Sequence, residues 1–440
     1  MQTGPTGVPD LIHPPARLAW TIWGLGALFY LFAFYQRVAP AVMTDALMAD
    51  FAIGGAALGN LSAFYFYSYV VMQIPTGVMA DRWGPRRVLA GGAAIAALGS
   101  LLFAFAPDFG WAGFGRMLVG ASVAVAFVST LKLASHWFPP QKYALASGMA
   151  LFMGVVGGVM AGVPLRMLVE GFGWRMVMGS AGVFATLLCV AIWLFVRDDP
   201  AERGYQSHHQ GDASHLRDGG QPRRHLPILA GIFQVLSYRN IWLLMLMQIG
   251  FCGAILAFGG LWGVPWLRQV HGLDPKAAAA VTSTLLVAWA LGGPLLGSWS
   301  QRLGRRKPLY LIAGAVAASG WLAVIFLAPP LWLMVILLAI TGFASGNIII
   351  GFAWAKESLP MRLMGTASGV VNMGPLMGGM LLQPAVGWLL DRGWGGELAA
   401  GVRIYAAETW QASFALLFVA VVIALAMVPF VRESHCQQAT

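Results

Sequence analysis

The sequence predicts an all-α membrane protein with twelve transmembrane helices in two pseudo-symmetric six-helix bundles. Hydrophobic residues make up 58% of the 440 residues, charged residues make up only 10%, and long apolar runs recur along the chain. The mean hydropathy is +0.72. A soluble domain carries about a quarter charged residues. A helix needs roughly 20 apolar residues to cross a bilayer, where its backbone groups must be paired internally.

Charged or Pro/Gly-rich breaks divide the apolar runs into twelve predicted helices. These cover residues 18–44, 56–80, 87–106, 110–135, 143–169, 173–196, 240–268, 277–300, 308–328, 331–356, 363–390 and 409–431. Strands of a membrane barrel would be alternating segments of about ten residues, and these runs are longer and more continuous.

The remaining segments are predicted to be hydrophilic tails and one linker. We expect a tail over 1–16, a first bundle over 17–196, a linker over 197–238, a second bundle over 239–431 and a tail over 432–440. The first tail is Pro-rich and contains no Lys or Arg, unlike the start of a secretory signal. Cys189, Cys252 and Cys436 are far apart, which favours small apolar fillers over a disulfide or metal site. No cofactor is expected.

The net charge of +10 could suggest nucleic acid as a partner, but the basic residues cluster between helices. Three connections predicted on one side of the membrane hold Arg82, Arg86, Arg87, Arg197, Arg203, Arg217, Arg223, Arg224, Arg302, Arg305, Arg306 and Lys307. The positive-inside rule makes that side cytoplasmic. We therefore expect a lipid bilayer as the partner, no nucleic acid, and both termini in the cytoplasm.

The two halves of the sequence resemble each other. "GVMADRWGPRR", starting at Gly77, matches "GSWSQRLGRRK", which starts at Gly297. "FPPQKYALASG", ending at Gly148, matches "LPMRLMGTASG", which ends at Gly369, so both matches have nearly the same offset along the chain. This predicts a duplicated six-helix unit, with a substrate site between the halves near the bilayer midplane.

The loop Gly-x-x-x-Asp-Arg-x-Gly-x-Arg-Arg between helices two and three, with its weaker copy between helices eight and nine, resembles the signature of the major facilitator superfamily. The resemblance implies a latch between the halves that forms in the outward-open state. Its residues would be Gly77, Asp81, Arg82, Gly84, Arg86 and Arg87, with Arg302, Gly304 and Arg306 in the second copy.

Asp81 is the residue of this loop that topology does not explain. The arginines can act as topology anchors, whereas acids contribute little to orientation. A carboxylate at the end of helix two can face the N-terminus of helix eleven, where the helix dipole favours negative charge. The second copy has Gln301 in place of the acid, so the latch is expected to be asymmetric.

Arg37, in "FYQRVAPAV", is the leading candidate for a substrate contact. A guanidinium far from both predicted helix ends is costly in hydrocarbon and indicates a site for a carboxylate or phosphate, with Tyr35 beside it. The alternative is snorkelling from a helix that ends near Pro40. Tyr-x-Arg resembles the organic-anion branch of the superfamily, which usually has an acid where this chain has Gln36 and another in helix four, where this chain has "ASVAVAFV".

Helix four offers Arg116, Lys132 and His136. Ser129, Lys132 and His136 share one helical face, so Lys132 could be a second positive group in the cavity, or it could snorkel to the interface. Arg116, His136 and Glu357 are candidates for coupling transport to an ion.

Helix two carries a polar stripe at helical spacing. Its members are Ser62, Tyr65, Tyr69, Gln73 and Thr76. A polar stripe in a membrane helix is expected to face protein or a water-filled cavity. An interfacial belt of tyrosines is the alternative.

These features favour a secondary active transporter over an enzyme, because no catalytic motif is present. We expect alternating-access transport of a small anionic solute, with proton-coupled import, and anion exchange instead if no candidate titrates in the cavity. Efflux of a hydrophobic or cationic compound and solute sensing without transport remain open. A monomer in a bacterial inner membrane is expected.

Overall fold

The computed structural model describes residues 13–208, 233–360 and 363–438. Most of the expected tail 1–16, the centre of the linker 197–238, and Arg217, Arg223 and Arg224 lie outside these residues. We number the helices α1 to α16 in chain order.

The N-terminal half contains eight helices that form six membrane-crossing segments. They are α1 (Ala16–Val38), α2 (Thr44–Phe51), α3 (Gly55–Ala104), α4 (Phe109–Val123), α5 (Ala126–Trp137), α6 (Pro140–Met160), α7 (Val163–Phe172) and α8 (Trp174–Phe195). Helix α3 supplies both the second and the third segment. Segments four and five are the pairs α4–α5 and α6–α7.

The C-terminal half repeats this order. Its helices are α9 (Arg239–Ala257), α10 (Gly263–His271), α11 (Pro275–Leu303), α12 (Lys307–Phe326), α13 (Leu331–Ser345), α14 (Ile348–Glu357), α15 (Met364–Arg392) and α16 (Ala407–Met427). A π-helical turn, Phe258–Trp262, joins α9 to α10. The all-α membrane fold predicted from the sequence is confirmed.

Length and hydropathy alone identify ten spans among the described residues, or eleven if α2 and the first part of α3 count as one bent span. Helix α15 is 29 residues long and is not among them, because its sequence is less apolar. It lies inside the protein instead. Gly378 of α15 packs on Gly253 of α9, and Gly379 and Gly387 pack on Phe66 and Gly55 of α3.

The predicted loop between helices two and three is a kink inside one helix. Within α3 only Gly84 is non-helical, with φ 78° and ψ 154°, a region that residues with a Cβ rarely adopt. Pro85 follows, and a proline disfavours helical geometry in the residue before it. The expectation that Gly84 makes a tight turn therefore holds, but the turn takes a single residue.

Other differences from the prediction are breaks and small elements. The fourth predicted helix divides at 124–125 and the tenth at 346–347, which are nearly equivalent positions in the two copies of the repeat. Helix α2 and a hairpin of β1 (Leu398–Ala399) and β2 (Val402–Arg403) were not anticipated. Both lie at the end of the protein away from the linker.

We call the two ends the linker face and the opposite face. The linker face holds the kink of α3, the ends of α5 and α8 and the start of α9, because Trp137 donates to the Arg197 carbonyl and Arg86 to the Trp193 carbonyl. The opposite face holds α2, the start of α3 and the β1–β2 hairpin.

Candidate functional site

Arg37 lies in the last turn of α1, in an aromatic cage. Its guanidinium carbon is 4.2 Å from the ring centroid of Phe34, 5.3 Å from that of Tyr69 and 5.8 Å from that of Tyr65, within cation–π range. Arg37 is 7% exposed. Tyr65 stands ten residues beyond Gly55 in α3, roughly 15 Å along the helix, so this cage lies inside the bundle. Snorkelling to the surface does not describe this geometry.

Arg116, in α4, is a second guanidinium in the same layer. It is 1% exposed, its Nη1 donates to the Gln36 carbonyl at 2.7 Å, and its guanidinium carbon is 5.2 Å from the Tyr65 ring. Both arginines therefore contact Tyr65. Their guanidinium carbons lie within about 11 Å of each other, where like charges in a protein repel by roughly 1.5 kcal/mol. The Nε and Nη2 atoms of Arg116 have no partner among the described residues.

Neutral hydrogen bonds hold this layer together. The Gln36 amide donates to the Ser100 hydroxyl at 2.9 Å, and the Tyr65 hydroxyl donates to the Ala33 carbonyl at 3.0 Å. Gln36 is 2% exposed. These bonds fix α1 against the two arms of α3, so the arginines have a preformed surround.

No carboxylate accompanies the two arginines within the described part of the chain. The described acids are Asp45, Asp50, Asp81, Asp108, Glu170, Asp198, Asp199, Glu202, Asp274, Glu357, Asp391, Glu397, Glu408 and Glu433, none of which is buried. Their ion pairs engage other cations, at the ends of helices or in loops. The layer around Tyr65 therefore carries unbalanced positive charge.

Two tyrosines of α1 flank this layer. Tyr35, which the sequence suggested, is partly buried and packs beside it. Tyr30 was missed: it is 7% exposed and its ring centroid is 5.2 Å from that of Phe34. Tyr30, Phe34 and Arg37 follow i, i+4, i+7 spacing, so the helical face could have been found from the sequence.

The polar stripe of α3 faces protein, as expected. Tyr65 and Tyr69 turn toward Arg37, while the Gln73 amide oxygen accepts a 3.2 Å hydrogen bond from Asn372 of α15. Asn372 belongs to the other half and was not singled out in the sequence. Gln73 thus lies at the interface between the halves, on the linker side of the two arginines.

The structure places Lys132 away from the arginine layer, which corrects the expectation that it adds positive charge there. Its amine donates to the Ala80 carbonyl and to Asp81, both at 2.8 Å. Ala80 is eleven residues beyond Tyr69 in α3, roughly 16 Å along the helix. The Asp81 side chain, 78% exposed, pairs within its own half. Asp81 was expected to contact the start of the eleventh predicted helix, which is α15 in the structure. No such contact is among the described hydrogen bonds.

Around Asp81, the residues of the predicted latch have their described hydrogen-bond partners within their own half. A side chain at Gly77 would meet no atom within 4 Å, so no close backbone approach occurs there in this structure. Arg86 is held within its half: its N–H donates to Asp198 at 2.6 Å and its Nη2 to the Trp193 carbonyl at 2.7 Å. Arg82 and Arg87 are exposed.

The second copy of the loop has a parallel arrangement. The Arg306 N–H donates to Glu433 at 3.0 Å, as that of Arg86 does to Asp198. The Arg306 side chain donates to Glu357 at 2.6 Å and to the Gln301 amide oxygen at 2.5 Å. Gly304 has φ 66°; Arg302 is exposed.

The coupling candidates His136 and Glu357 are thus both on the linker face. His136 Nδ1 is 2.9 Å from Asp199, and Glu357 pairs with Arg306. Burial raises the pKa of Asp199, but hydrogen bonds from the Ala201 N–H, from His136 and from Ser207 outweigh it, and the pKa is lowered. Neither candidate lies in the layer of Arg37.

The halves are fastened together at the opposite face. Asp391, at the end of α15, accepts hydrogen bonds from the N–H groups of Gly55 and Ala56, each at 2.8 Å, and from the Tyr405 hydroxyl at 2.9 Å. The residue before α3 provides no side-chain cap, so a carboxylate from the other half satisfies these donors. This is the arrangement expected of Asp81, found at the other end of the bundle.

Two ion pairs add to this fastening, which we call the opposite-face clasp. Asp45 pairs with Arg268, and Glu170 pairs with Lys276 at 3.2 Å. The offset between Gly148 and Gly369 also separates Glu170 from Asp391, so the repeat relates these two acids. Beyond Gln73–Asn372, no described hydrogen bond or ion pair joins the halves toward the linker face.

Comparisons with known proteins agree with this architecture. The family model described as Major Facilitator Superfamily matches residues 23–292 and 249–437. The probable sulfoacetate transporter SauU of Cupriavidus necator is 27% identical over 397 residues, 84% of this chain and 87% of that protein. The probable galactarate/D-glucarate transporter GudP of Escherichia coli K12 is 23% identical, covering 84% and 86%.

A solved structure shares the fold. The bacterial homologue of the human lysosomal transporter Spinster, in its inward-facing and unoccupied conformation, aligns with a TM-score of 0.76 at 19% identity. The alignment covers 95% of this chain and 98% of that one. Sequence and structure comparisons therefore point to the same architecture.

Proposed function

Because the chain belongs to the major facilitator superfamily, we propose that its two halves rock about the Arg37 layer to carry a small organic anion across the membrane. It is a multi-pass membrane transport protein, not an enzyme, and its relatives are named as transporters. The observation that carries the anionic assignment is Arg37, buried among aromatic rings with no carboxylate beside it in the described structure.

The chemistry of the layer supports this assignment. A guanidinium can bind a carboxylate or sulfonate through two parallel hydrogen bonds. The substrates named for the relatives, sulfoacetate and galactarate or D-glucarate, carry such groups. Efflux of a cationic compound is disfavoured, because the compound would approach two buried cations.

We further propose that the linker face is cytoplasmic, following the positive-inside rule, in a bacterial inner membrane. The clasp then closes the external side, and this structure corresponds to a carrier that opens inward. Proton coupling through His136 or Glu357 lacks support from their positions, since both lie at the linker face in ion pairs.

A ligand screen tests the anionic assignment. Purified wild-type protein is heated with sulfoacetate, D-glucarate, D-gluconate, phosphate and cationic dyes, because a ligand that binds the native state stabilises it by about 2.7 kcal/mol at a hundred times its Kd. We expect stabilisation by an organic anion that disappears in Arg37→Ala.

The matched control is Arg87→Ala, which removes an exposed arginine at the linker face and should keep the stabilisation. Stabilisation by cationic dyes that survives Arg37→Ala would contradict the proposal and favour efflux. Binding of an anion without movement into vesicles would indicate a sensor.

A further inference from the structure

The charge balance of the Tyr65 layer bears on how the carrier completes its cycle. Arg37 and Arg116 are both buried there. The fourteen described acids all lie outside this layer, and the remaining three, Asp10, Asp212 and Asp218, belong to the hydrophilic tail and linker segments of the sequence. Within the described structure, no carboxylate therefore offsets the two positive charges.

The groups facing the arginines from each neighbouring helix are uncharged. From α1 they are Phe34 and Gln36, with Tyr30 packed on Phe34. From α3 they are Tyr65, Tyr69 and Phe103. The C-terminal half contributes to this cluster Leu256, Leu376 and Met380. The nearest histidines along the fold are elsewhere: His136 pairs with Asp199, and the His271 ring packs on Trp266 at the opposite face. Among the described residues, no group with an ordinary pKa between 5 and 8 contacts either arginine.

We infer that this site takes anions with two negative charges and that the carrier changes sides only when loaded, so that it exchanges one anion for another. The inference rests on the proposed function. Arg37 and Arg116 are already 7% and 1% exposed, so closing the second face around an empty site would remove the water that remains near two uncompensated cations, which is strongly unfavourable. A bound dianion supplies the missing charges, and the loaded carrier can close.

A proton-coupled symporter handles the empty state differently. It has a carboxylate that releases its proton and then pairs with the site's cation, so the empty carrier can return. Here the position before Arg37 is Gln36, whose side chain is an amide bonded to Ser100. The return step must therefore be made with a second anion.

Transport into vesicles separates the two mechanisms. Uptake of radiolabelled D-glucarate is measured into proteoliposomes holding unlabelled D-glucarate or only zwitterionic buffer, with and without an inward proton gradient of about one pH unit. We expect uptake at least tenfold faster into the loaded vesicles, unaffected by the gradient. Accumulation in anion-free vesicles driven by the proton gradient would overturn the inference and leave anion binding at Arg37 standing.

Charge selection is tested with a matched pair of ligands. D-Glucarate and D-gluconate share a six-carbon chain and differ by one carboxylate. We expect D-glucarate to half-saturate exchange at a concentration at least tenfold lower than D-gluconate does. A tenfold difference in affinity corresponds to about one charged hydrogen-bonded contact. Equal half-saturation would contradict a dianion site, whereas Arg37-dependent stabilisation by D-gluconate alone would still support an anion carrier.

Two variants assign this selectivity to the layer's charge. Arg116→Gln removes one positive charge, and Gln36→Glu adds one negative charge without changing the side-chain size. Both should reduce the preference for D-glucarate below about threefold. If Arg116→Gln does not fold, Gln36→Glu alone decides, and an unchanged preference in it overturns the inference.

Discussion

Arg86 and Arg306 occupy equivalent positions in the two halves, but only Arg306 has a carboxylate partner for its side chain among the described residues. The Arg306 and Glu357 side chains are 4% and 14% exposed. Ser300 and Gln301 also accept hydrogen bonds from Arg306. The Arg86 side chain instead donates to a carbonyl and stacks on Trp193. The second copy of the loop therefore acts as a fixed joint between α11, α14 and the C-terminal segment.

Glu357→Gln should lower stability by about 3 kcal/mol, because Arg306 is buried and loses the carboxylate that compensates its charge. The measurement is the unfolding temperature in detergent, with Glu408→Gln as the control. Glu408 is exposed in the first turn of α16, so its loss should cost below about 1 kcal/mol.

Glu357→Gln also tests whether Glu357 couples transport to an ion, as the sequence suggested. Exchange per folded molecule should be retained in this variant, since Glu357 lies at the linker face. Loss of proton-driven uptake with stability unchanged would instead return Glu357 to a coupling role.

The sequence was sufficient to select Arg37, Tyr65, Tyr69 and Gln73, because an ionisable or polar residue inside an apolar run is unusual. It could not assign the partner of Lys132. That partner depends on how α5 crosses α3, and a snorkelling lysine and a cavity lysine have the same local sequence. Asn372 was missed because a single amide in a Gly-rich helix has no distinctive pattern.

Helix α3 shows what is predictable at the level of elements. Hydropathy located both of its arms, and the charges between them suggested a loop. The turn needs only Gly84 and Pro85, so backbone geometry rather than composition decides that the arms join. The breaks in α4–α5 and α13–α14 have no proline to mark them. Packing within each half accompanies them: Gly346 lies against Gly292 and Gly293 of α11, and Gly92 of α3 against Val125.

Gly84→Ala should destabilise the protein by about 1 to 3 kcal/mol, the usual cost of holding a side chain in a disfavoured backbone region. An added Cβ would also collide with Asp198. The unfolding temperature is again the readout. Gly91→Ala is the control, because Gly91 is helical in the same α3 with no atom near its Cβ position, so alanine should be neutral or stabilising. Equal effects of both variants would refute the role of the kink.

Across the whole molecule, the described hydrogen bonds and ion pairs between the halves lie at the opposite face, apart from the one between Gln73 and Asn372. The repeat places Asp391 and Glu170 at matching positions, but they act differently. Asp391 caps the backbone of α3, whereas Glu170 contacts only the side chain of Lys276 across the interface, because Asp274 already caps α11. The clasp is therefore asymmetric, and we expect Asp391 to be its main contributor, because it bonds to two backbone N–H groups of the other half.

Asp391→Asn should shift the carrier toward opening at the opposite face. The two carboxylate oxygens of Asp391 accept from the Gly55 and Ala56 N–H groups, whereas an amide has one oxygen and no charge. Ser62, 1% exposed and on the α3 face between Gly59 and Phe66, reports this opening. In a background lacking Cys189, Cys252 and Cys436, Ser62→Cys should react several-fold faster with a water-soluble thiol reagent when Asp391 is replaced.

Asp50→Asn is the matched control for the clasp. Asp50 also lies at the opposite face, but it pairs with Trp174 and Arg175 of its own half. Its replacement should leave the reactivity of Cys at position 62 unchanged. The same reactivity in all three backgrounds would show that Asp391 does not hold the halves together.

The low hydropathy of α15 has a consequence for biosynthesis. A nascent segment enters lipid on its own only if it is apolar enough, and α15 falls outside the described spans that meet this condition. Its glycines pack on α9 and α3, which are made earlier. We therefore expect α15 to leave the translocation machinery late, recruited by helices already in the bilayer, so that weakening its glycine contacts would yield chains with a misplaced C-terminus rather than inactive carriers.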